Sequence, residues 1–124
     1  MSLAIVYSRA SMGVQAPLVT IEVHLSNGKP GFTLVGLPEK TVKEAQDRVR
    51  SALMKEGGRF DLPIAIGILA ASDQLDASRL KQFEFVAELA LTGQLRGVHG
   101  VIPAILAAQK SKRELIIAKQ NANE

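Results

Sequence analysis

Alternating apolar and polar residues run through the first third of the chain and predict a meander of strands. In residues 18–25 every second side chain is apolar, at Val19, Ile21, Val23 and Leu25. A period of two is typical of a strand that buries one face. Residues 3–8 and 32–35 are also predicted strands. Residues 26–31 are rich in turn formers, and Pro30 is expected to end the strand pairing because it has no N–H.

Helical spacing replaces this alternation after residue 38. Apolar side chains recur along one face at Val42, Ala45, Val49 and Leu53. Thr41 and Glu44 have the spacing of a capping box, in which each side chain binds a free backbone N–H at a helix start. We therefore predict an amphipathic helix over residues 38–56 that ends at Gly57 and Gly58.

Two more apolar segments, residues 61–74 and 99–111, predict further helices. The first is apolar nearly all round, so it should be buried, and Gly67 within it should permit close packing. Ile66 and Ile105 are the expected core residues of these helices. Residues 85–91 and 115–118 are predicted strands, while the polar residues 120–124 are expected to fray.

These elements predict an α+β fold, a mixed sheet with helices packed on it, in a single domain of 124 residues. Apolar residues make up 47% of the chain but aromatic residues only 4%, so the core must be aliphatic. The chain has no cysteine, which excludes disulfides and thiolate metal sites and fits a cytoplasmic location. No apolar run is long enough to span a bilayer, so we expect no membrane partner.

Basic residues concentrate between positions 40 and 59 and form a candidate nucleic-acid-binding surface. The cluster consists of Lys40, Lys43, Arg48, Arg50, Lys55 and Arg59. Phosphate contact is one reading of it. The other is a solvated helix face, in which pairs such as Lys40–Glu44 stabilise the helix locally. No aromatic residue lies between these positions, so stacking on single-stranded DNA has little support.

Cofactor sites are not predicted in this chain. Its two histidines, His24 and His99, lie far apart in the sequence and do not make the three- or four-ligand set of a metal site. No G-x-x-x-x-G-K-[ST] motif occurs, so the chain has no phosphate-binding loop for ATP.

Two segments resemble the proteolytic domain of Lon-type ATP-dependent proteases. One is Glu56-Gly57-Gly58-Arg59 before the apolar residues 64–71, and the other is residues 88–100 before the apolar residues 101–108. In Lon-like domains these places supply a serine nucleophile and a lysine base. Here they fall on Arg59 and Ala104, and neither residue can do that chemistry. We expect Arg59 either to pair with Asp61 or Glu88, the favoured reading, or to contact DNA or a neighbouring subunit.

Nearly the whole chain resembles the N-terminal domain of the ComM/YifB family, which are magnesium-chelatase-like AAA+ ATPases. The matching stretches are residues 3–10, 32–39, 42–53 and 56–63. The resemblance implies a Lon-like fold of the ribosomal protein domain-like superfamily, and a larger protein with its own AAA+ motor domain. It further implies a hexameric ring that uses ATP and Mg²⁺ for branch migration of DNA in natural transformation and recombination.

Two other functions remain open for this chain. It could be a degenerate Lon-like hydrolase domain, or a standalone basic module that binds nucleic acid. The missing serine and lysine argue against the first. The second requires the charges of residues 40–59 to form one continuous face.

One departure from the family pattern lies between Met54 and Lys55. ComM-like sequences carry a further stretch here that includes a strand, whereas this chain runs directly from one residue to the other. Either residues of that stretch are missing from this sequence, or the sheet is one strand short of the family pattern.

Overall fold

A computed structural model describes residues 2–11, 14–36 and 58–123 of the chain. The strands in this part are β1 (Ser2–Arg9), β2 (Leu18–Ser26), β3 (Lys29–Val35), β4 (Phe83–Val86), β5 (Glu88–Leu89), β6 (Leu95–Arg96) and β7 (Glu114–Ile117). The helices are α1 (Asp61–Ala71) and α2 (Val101–Lys110), with 3₁₀ helices at Ala77–Gln82 and Lys119–Asn123. The predicted helix at residues 38–56 lies outside the described residues.

The described residues form a main sheet of five strands in the order β3-β2-β1-β4-β7. The first three form the predicted antiparallel meander, in which Ser2 lies opposite Leu25 and Arg9 opposite Leu18. β4 runs parallel to β1, and β7 runs parallel to β4. The sheet is therefore mixed, and the predicted α+β class is confirmed.

The turn between β2 and β3 is shorter than the sequence pattern predicts. Only Asn27 and Gly28 form it, with φ values of 56° and 77°, which a two-residue hairpin turn requires and these two residue types tolerate. Pro30 lies inside β3, opposite Leu25. The prediction that Pro30 ends the pairing is thus wrong. In the sheet that the described residues form, β3 lies at the edge, and an edge strand can hold a proline without losing an inner ladder bond.

The apolar core lies between α1 and one face of the sheet. Four valine and isoleucine side chains of β1 and β2 point towards α1 and are completely buried. They are Val6, Val19, Ile21 and Val23. Gly67 lets the helix approach this face closely, because a Cβ on Gly67 would overlap the side chain of Val23.

The expected core residues of the two helices need correction. Ile66 is only half-buried, although it packs against the core beside Ala70 and Leu80. Ile105 is also half-buried. The almost fully enclosed helix side chains include Ile64 in α1 and Ala104 in α2, because the helices turn slightly different faces to the sheet than their nearly uniform apolar composition reveals.

Two further predictions differ from the structure at the C-terminal half. Residues 85–91 do not form one strand, since Phe83–Val86 joins the main sheet while Glu88–Leu89 pairs with β6 in a separate hairpin. Residues 120–123 do not fray either. Asn121 is buried and exchanges hydrogen bonds with the backbone N–H and C=O of Val98, at 3.0 and 3.1 Å.

Candidate functional site

Asp61 anchors the start of α1, two residues after Arg59. Its carboxylate is almost fully buried. Oδ2 accepts hydrogen bonds from the backbone N–H of Gly58 at 2.6 Å and of Leu89 at 3.0 Å. Burial raises the pKa of Asp61, and the nearby negative charge of Glu88 raises it further, although the two hydrogen bonds oppose the shift. Asp61 therefore ties the first turn of α1 to β5.

Backbone hydrogen bonds hold the same segment against the end of β4. The N–H of Ala87 donates to the carbonyl oxygen of Arg59 at 3.3 Å, and the N–H of Leu62 donates to that of Ala87 at 3.2 Å. The bond from Leu62 satisfies an N–H that the helix start leaves without an intrahelical partner, and both bonds hold this segment beside Ala87. They also fix the direction in which the side chain of Arg59 leaves the backbone.

Arg59 reaches from this segment to two other parts of the fold. Its Nε donates to the backbone oxygen of Arg9 at 2.9 Å, and its Nη1 donates to the backbone oxygen of His99 at 2.7 Å. Burial lowers the pKa of Arg59, although a guanidinium stays protonated. Within the described residues Arg59 forms no ion pair. The predicted salt bridge to Asp61 or Glu88 is therefore wrong, because the side chain points to the end of β1 and to the loop before α2.

Ala104 lies in the first turn of α2 and is completely buried. Its N–H donates to the carbonyl oxygen of Gly100 at 3.3 Å. Gly100 has a φ of 73°, and a Cβ there would lie 2.5 Å from Oγ of Ser11. Glycine is thus required at this helix start, both for its backbone angle and for the space beside Ser11.

Arg59 lies just before α1 and His99 lies just before α2. The hydrogen bond from Arg59 to the carbonyl oxygen of His99 therefore brings the starts of the two helices together. A serine–lysine pair would need a hydroxyl and an amine within hydrogen-bonding distance. In the described part of the chain no hydroxyl is hydrogen-bonded to a lysine or histidine nitrogen; the buried hydroxyl of Ser8 donates to the backbone oxygen of Phe85 at 2.6 Å. The described residues thus bring two helix starts together, without a hydroxyl that a lysine or histidine holds.

Two buried polar atoms at this place have no hydrogen-bond partner among the described residues. They are Nη2 of Arg59 and Oδ1 of Asp61. One can only donate and the other, in a carboxylate, can only accept. Buried side-chain atoms of this kind normally have a partner, so this is the least satisfied part of the described structure.

Of the candidate nucleic-acid-binding residues, only Arg59 falls within the described part of the chain. It is half-buried, and two of its nitrogens are already bound to backbone oxygens. Lys40, Lys43, Arg48, Arg50 and Lys55 lie outside the described residues, so the basic surface stays a prediction.

Sequence analysis missed a buried ionic cluster of Arg9, Glu84 and Arg113. Glu84 is completely buried, and Arg9 binds it through Nε at 2.7 Å and through Nη2 at 3.0 Å. Arg113 contacts Glu84 at 3.2 Å and lies over the ring of Tyr7, 4.0 Å from its centroid. The cluster connects β1, β4 and the residue before β7. A charged residue inside a short strand was the only sequence signal for it.

Metal ligands do not gather in the described part of the chain, where no group of three histidine, aspartate or glutamate side chains could hold an ion. His24 lies in β2 and His99 in the loop before α2. No helix within these ranges is long and apolar enough to cross a membrane.

A family model described as the ChlI subunit of Mg-chelatase matches residues 21–55 and 52–121. Competence protein ComM of Haemophilus influenzae is 85% identical over 145 positions, which cover 100% of this chain and 28% of that protein. The YifB protein of Escherichia coli is 54% identical and is covered over 29% of its length. An uncharacterized protein of Mycobacterium tuberculosis is 34% identical over 89% of this chain. The chain spans less than a third of these relatives.

The alignments also bear on the junction between Met54 and Lys55. The alignment with the Haemophilus protein has 145 positions for the 124 residues of this chain, so 21 positions of the relative have no counterpart here. Because the 85% identity is counted over all 145 alignment positions, these 21 unmatched positions account for nearly all of the non-identical ones. The two pieces of the family match meet at residues 52–55, which is where the sequence departs from the ComM/YifB pattern.

Proposed function

Because this chain belongs to the family of the ChlI subunit of Mg-chelatase, as an N-terminal domain of the ComM/YifB type, we propose that it is a non-catalytic accessory domain of a AAA+ DNA motor. Residues 1–124 would form one Lon-like domain of the longer protein. The domain would position the motor subunits, the DNA or a partner protein during branch migration.

The observation that carries the proposal is the pairing of the two helix starts through Arg59. Their arrangement supports a scaffold descended from a hydrolytic site, because a side chain from the start of α1 reaches the loop at the start of α2. The positions of the Lon-type nucleophile and base are occupied by Arg59, whose guanidinium binds backbone oxygens, and by Ala104, whose side chain is a buried methyl group. Neither can attack a carbonyl or accept a proton. A hydrolase on this scaffold is therefore disfavoured.

ATP and Mg²⁺ do not fit the residues of this chain. No phosphate-binding loop occurs in the sequence, and such a loop supplies the backbone N–H groups, the lysine and the hydroxyl that hold the nucleotide and its metal. Under this proposal the rest of the longer protein binds both, and its motor domains form a hexameric ring on DNA. This domain contributes contacts and no chemical step.

The test compares the full-length protein with a version that lacks residues 2–123. We expect ATP hydrolysis to persist in the shortened protein, because the nucleotide site lies elsewhere, while branch migration of a four-way DNA junction falls at least several-fold. The full-length protein should show no cleavage of fluorogenic peptides. Native mass spectrometry of both proteins measures whether a ring forms.

A matched variant separates the accessory role from hydrolysis. Arg59→Ser restores the nucleophile of the Lon-type pattern but leaves Ala104 without an amine, so peptide cleavage should stay at the level of the blank. Peptide hydrolysis by the unmodified protein, abolished by a substitution within residues 58–104, would contradict the proposal. So would unchanged branch migration after removal of the domain.

A further inference from the structure

The outer face of α2 exposes two large aliphatic side chains, Ile102 and Leu106. Their exposed fractions are 54% and 55%. They are four residues apart on one helix, so they lie side by side on the same face. The opposite face of α2 is buried through Val101, Ala104 and Ala108. This aliphatic pair is thus an apolar ridge on an otherwise well-packed helix, and we call it the α2 ridge.

The end of the described chain lies next to the start of this helix. Oε1 of Gln120 accepts a hydrogen bond from the N–H of Gly97 at 2.8 Å, and Asn121 holds Val98 through two further bonds. Gly97 also packs directly on the side chain of Asn121. A chain that continues past residue 123 therefore departs close to Gly97 and Val98, in the loop before α2.

The length of the relatives indicates what could cover the α2 ridge. The chain matches only 28% of the Haemophilus protein and 29% of the Escherichia protein. Most of the longer protein is therefore available to pack here. A continuation attached at residue 123 would have a high effective concentration next to the α2 ridge, so even a small apolar contact would persist.

We propose that the α2 ridge docks against the part of the same polypeptide that follows residue 123, the motor domain of the longer protein. The inference rests on the proposed function, because it names the surface through which the accessory domain is held to its motor. Burial of Ile102 and Leu106 would fix the orientation of the domain, which a flexible connection alone would leave free. The exposed apolar side chain Leu69 of α1, at 39%, offers a matched control on the other helix.

The experiment uses the full-length protein with the photo-crosslinking residue p-benzoylphenylalanine in place of Leu106. We expect mass spectrometry to find a cross-link to a peptide beyond residue 123 of the same chain, at several times the yield obtained from the same residue at position 69. Mixing isotope-labelled and unlabelled copies identifies which chain is linked. A cross-link between two copies, or a yield at position 106 no higher than at position 69, overturns the inference.

A second measurement does not depend on the cross-linker. The double substitution Ile102→Ser and Leu106→Ser should make the connection after residue 123 several-fold more sensitive to trypsin, whereas Leu69→Ser should not. Equal cleavage rates contradict docking. ATP hydrolysis by the unmodified full-length protein is measured in parallel. If the protein hydrolyses no ATP, the proposed function is contradicted. The cross-link still reports independently whether the α2 ridge is covered.

Discussion

Nη1 of Arg59 donates to the backbone oxygen of His99 at 2.7 Å and thereby joins the start of α1 to the loop that leads into α2. A second bond, from Nε to the backbone oxygen of Arg9, attaches the same side chain to the end of β1. Residues from three separate parts of the chain thus meet at one guanidinium. Arg59 has a structural task whether or not it also contacts DNA or another subunit.

Replacing Arg59 with alanine should lower the free energy of unfolding by about 1.5–3 kcal/mol, the range for hydrogen bonds that involve a charged group. Lysine should recover only part of this loss, because a single ammonium group cannot reproduce the two-pronged geometry of a guanidinium. Urea denaturation of the three proteins gives the comparison. Equal stability of the alanine variant and the unmodified protein would show that these bonds contribute nothing.

Glu84→Gln should destabilise the fold strongly, by about 3–5 kcal/mol, because it leaves the buried charge of Arg9 without its carboxylate. Glu88→Gln is the matched control. Glu88 contacts Arg96 at 3.6 Å in a pair whose arginine is largely exposed, and such pairs contribute about 0–1 kcal/mol. Denaturation midpoints of the two variants should differ clearly, and similar losses would contradict the buried cluster.

Gly67→Ala should destabilise the protein, although alanine favours an isolated helix by about 1 kcal/mol over glycine. The reason is that the added Cβ would overlap the side chain of Val23 on β2. Adding Val23→Ala should return part of the lost stability, because it removes the overlapping methyl groups. Thermal unfolding of the single and double variants measures this coupling. A stabilised Gly67→Ala variant would show that α1 can move away from the sheet at little cost.

The contribution of Asp61 to the free energy of unfolding should decrease as pH rises through the acidic range. Its pKa is raised in the folded state, so the folded protein holds this proton more tightly than the unfolded chain does. Its contribution is therefore fully present below the unfolded pKa of about 3.9 and is lost as pH rises through the folded pKa.

Asp61→Asn should remove this decline. Asp76→Asn is the contrasting control, because a hydrogen bond from Ser78 lowers the pKa of Asp76 and its contribution has the opposite sign. Urea unfolding of the three proteins across the acidic range tests both signs. A decline that persists in Asp61→Asn would assign it to another group.

DNA binding by the basic cluster should be weak and electrostatic. The reason is that the cluster has no interleaved aromatic residues for stacking. Binding should collapse as salt rises, since each neutralised phosphate releases counterions, and it should show little preference for sequence. Charge reversal at Lys43 and Arg50 should weaken binding to any duplex equally. A salt titration against two unrelated duplexes measures this, and salt-insensitive or sequence-specific binding would contradict it.

Local patterns in the sequence were sufficient to predict the meander and both described helices. The alternation at Val19, Ile21 and Val23 places these side chains on one face of β2 in any fold, because successive residues of a strand point in opposite directions. The expectation that this chain lacks peptidase chemistry rests on the resemblance to Lon-type domains, which assigns the nucleophile and base positions to Arg59 and Ala104, and on the chemistry of those two residues. The meander and the helices, by contrast, were predicted from residue type and near neighbours alone.

Contacts between distant residues were decided only by the tertiary structure. Arg9 and Glu84 are 75 residues apart, yet one carboxylate receives two bonds from that arginine. From the sequence we expected a carboxylate as the partner of Arg59, but in the fold Arg59 binds the carbonyl oxygens of Arg9 and His99. Because every residue carries such an oxygen, residue type alone could not identify these two acceptors. Pro30 lies within a strand because β3 is at the edge of the sheet. Strand order and backbone acceptors arise from packing of the whole chain, so no local pattern encodes them.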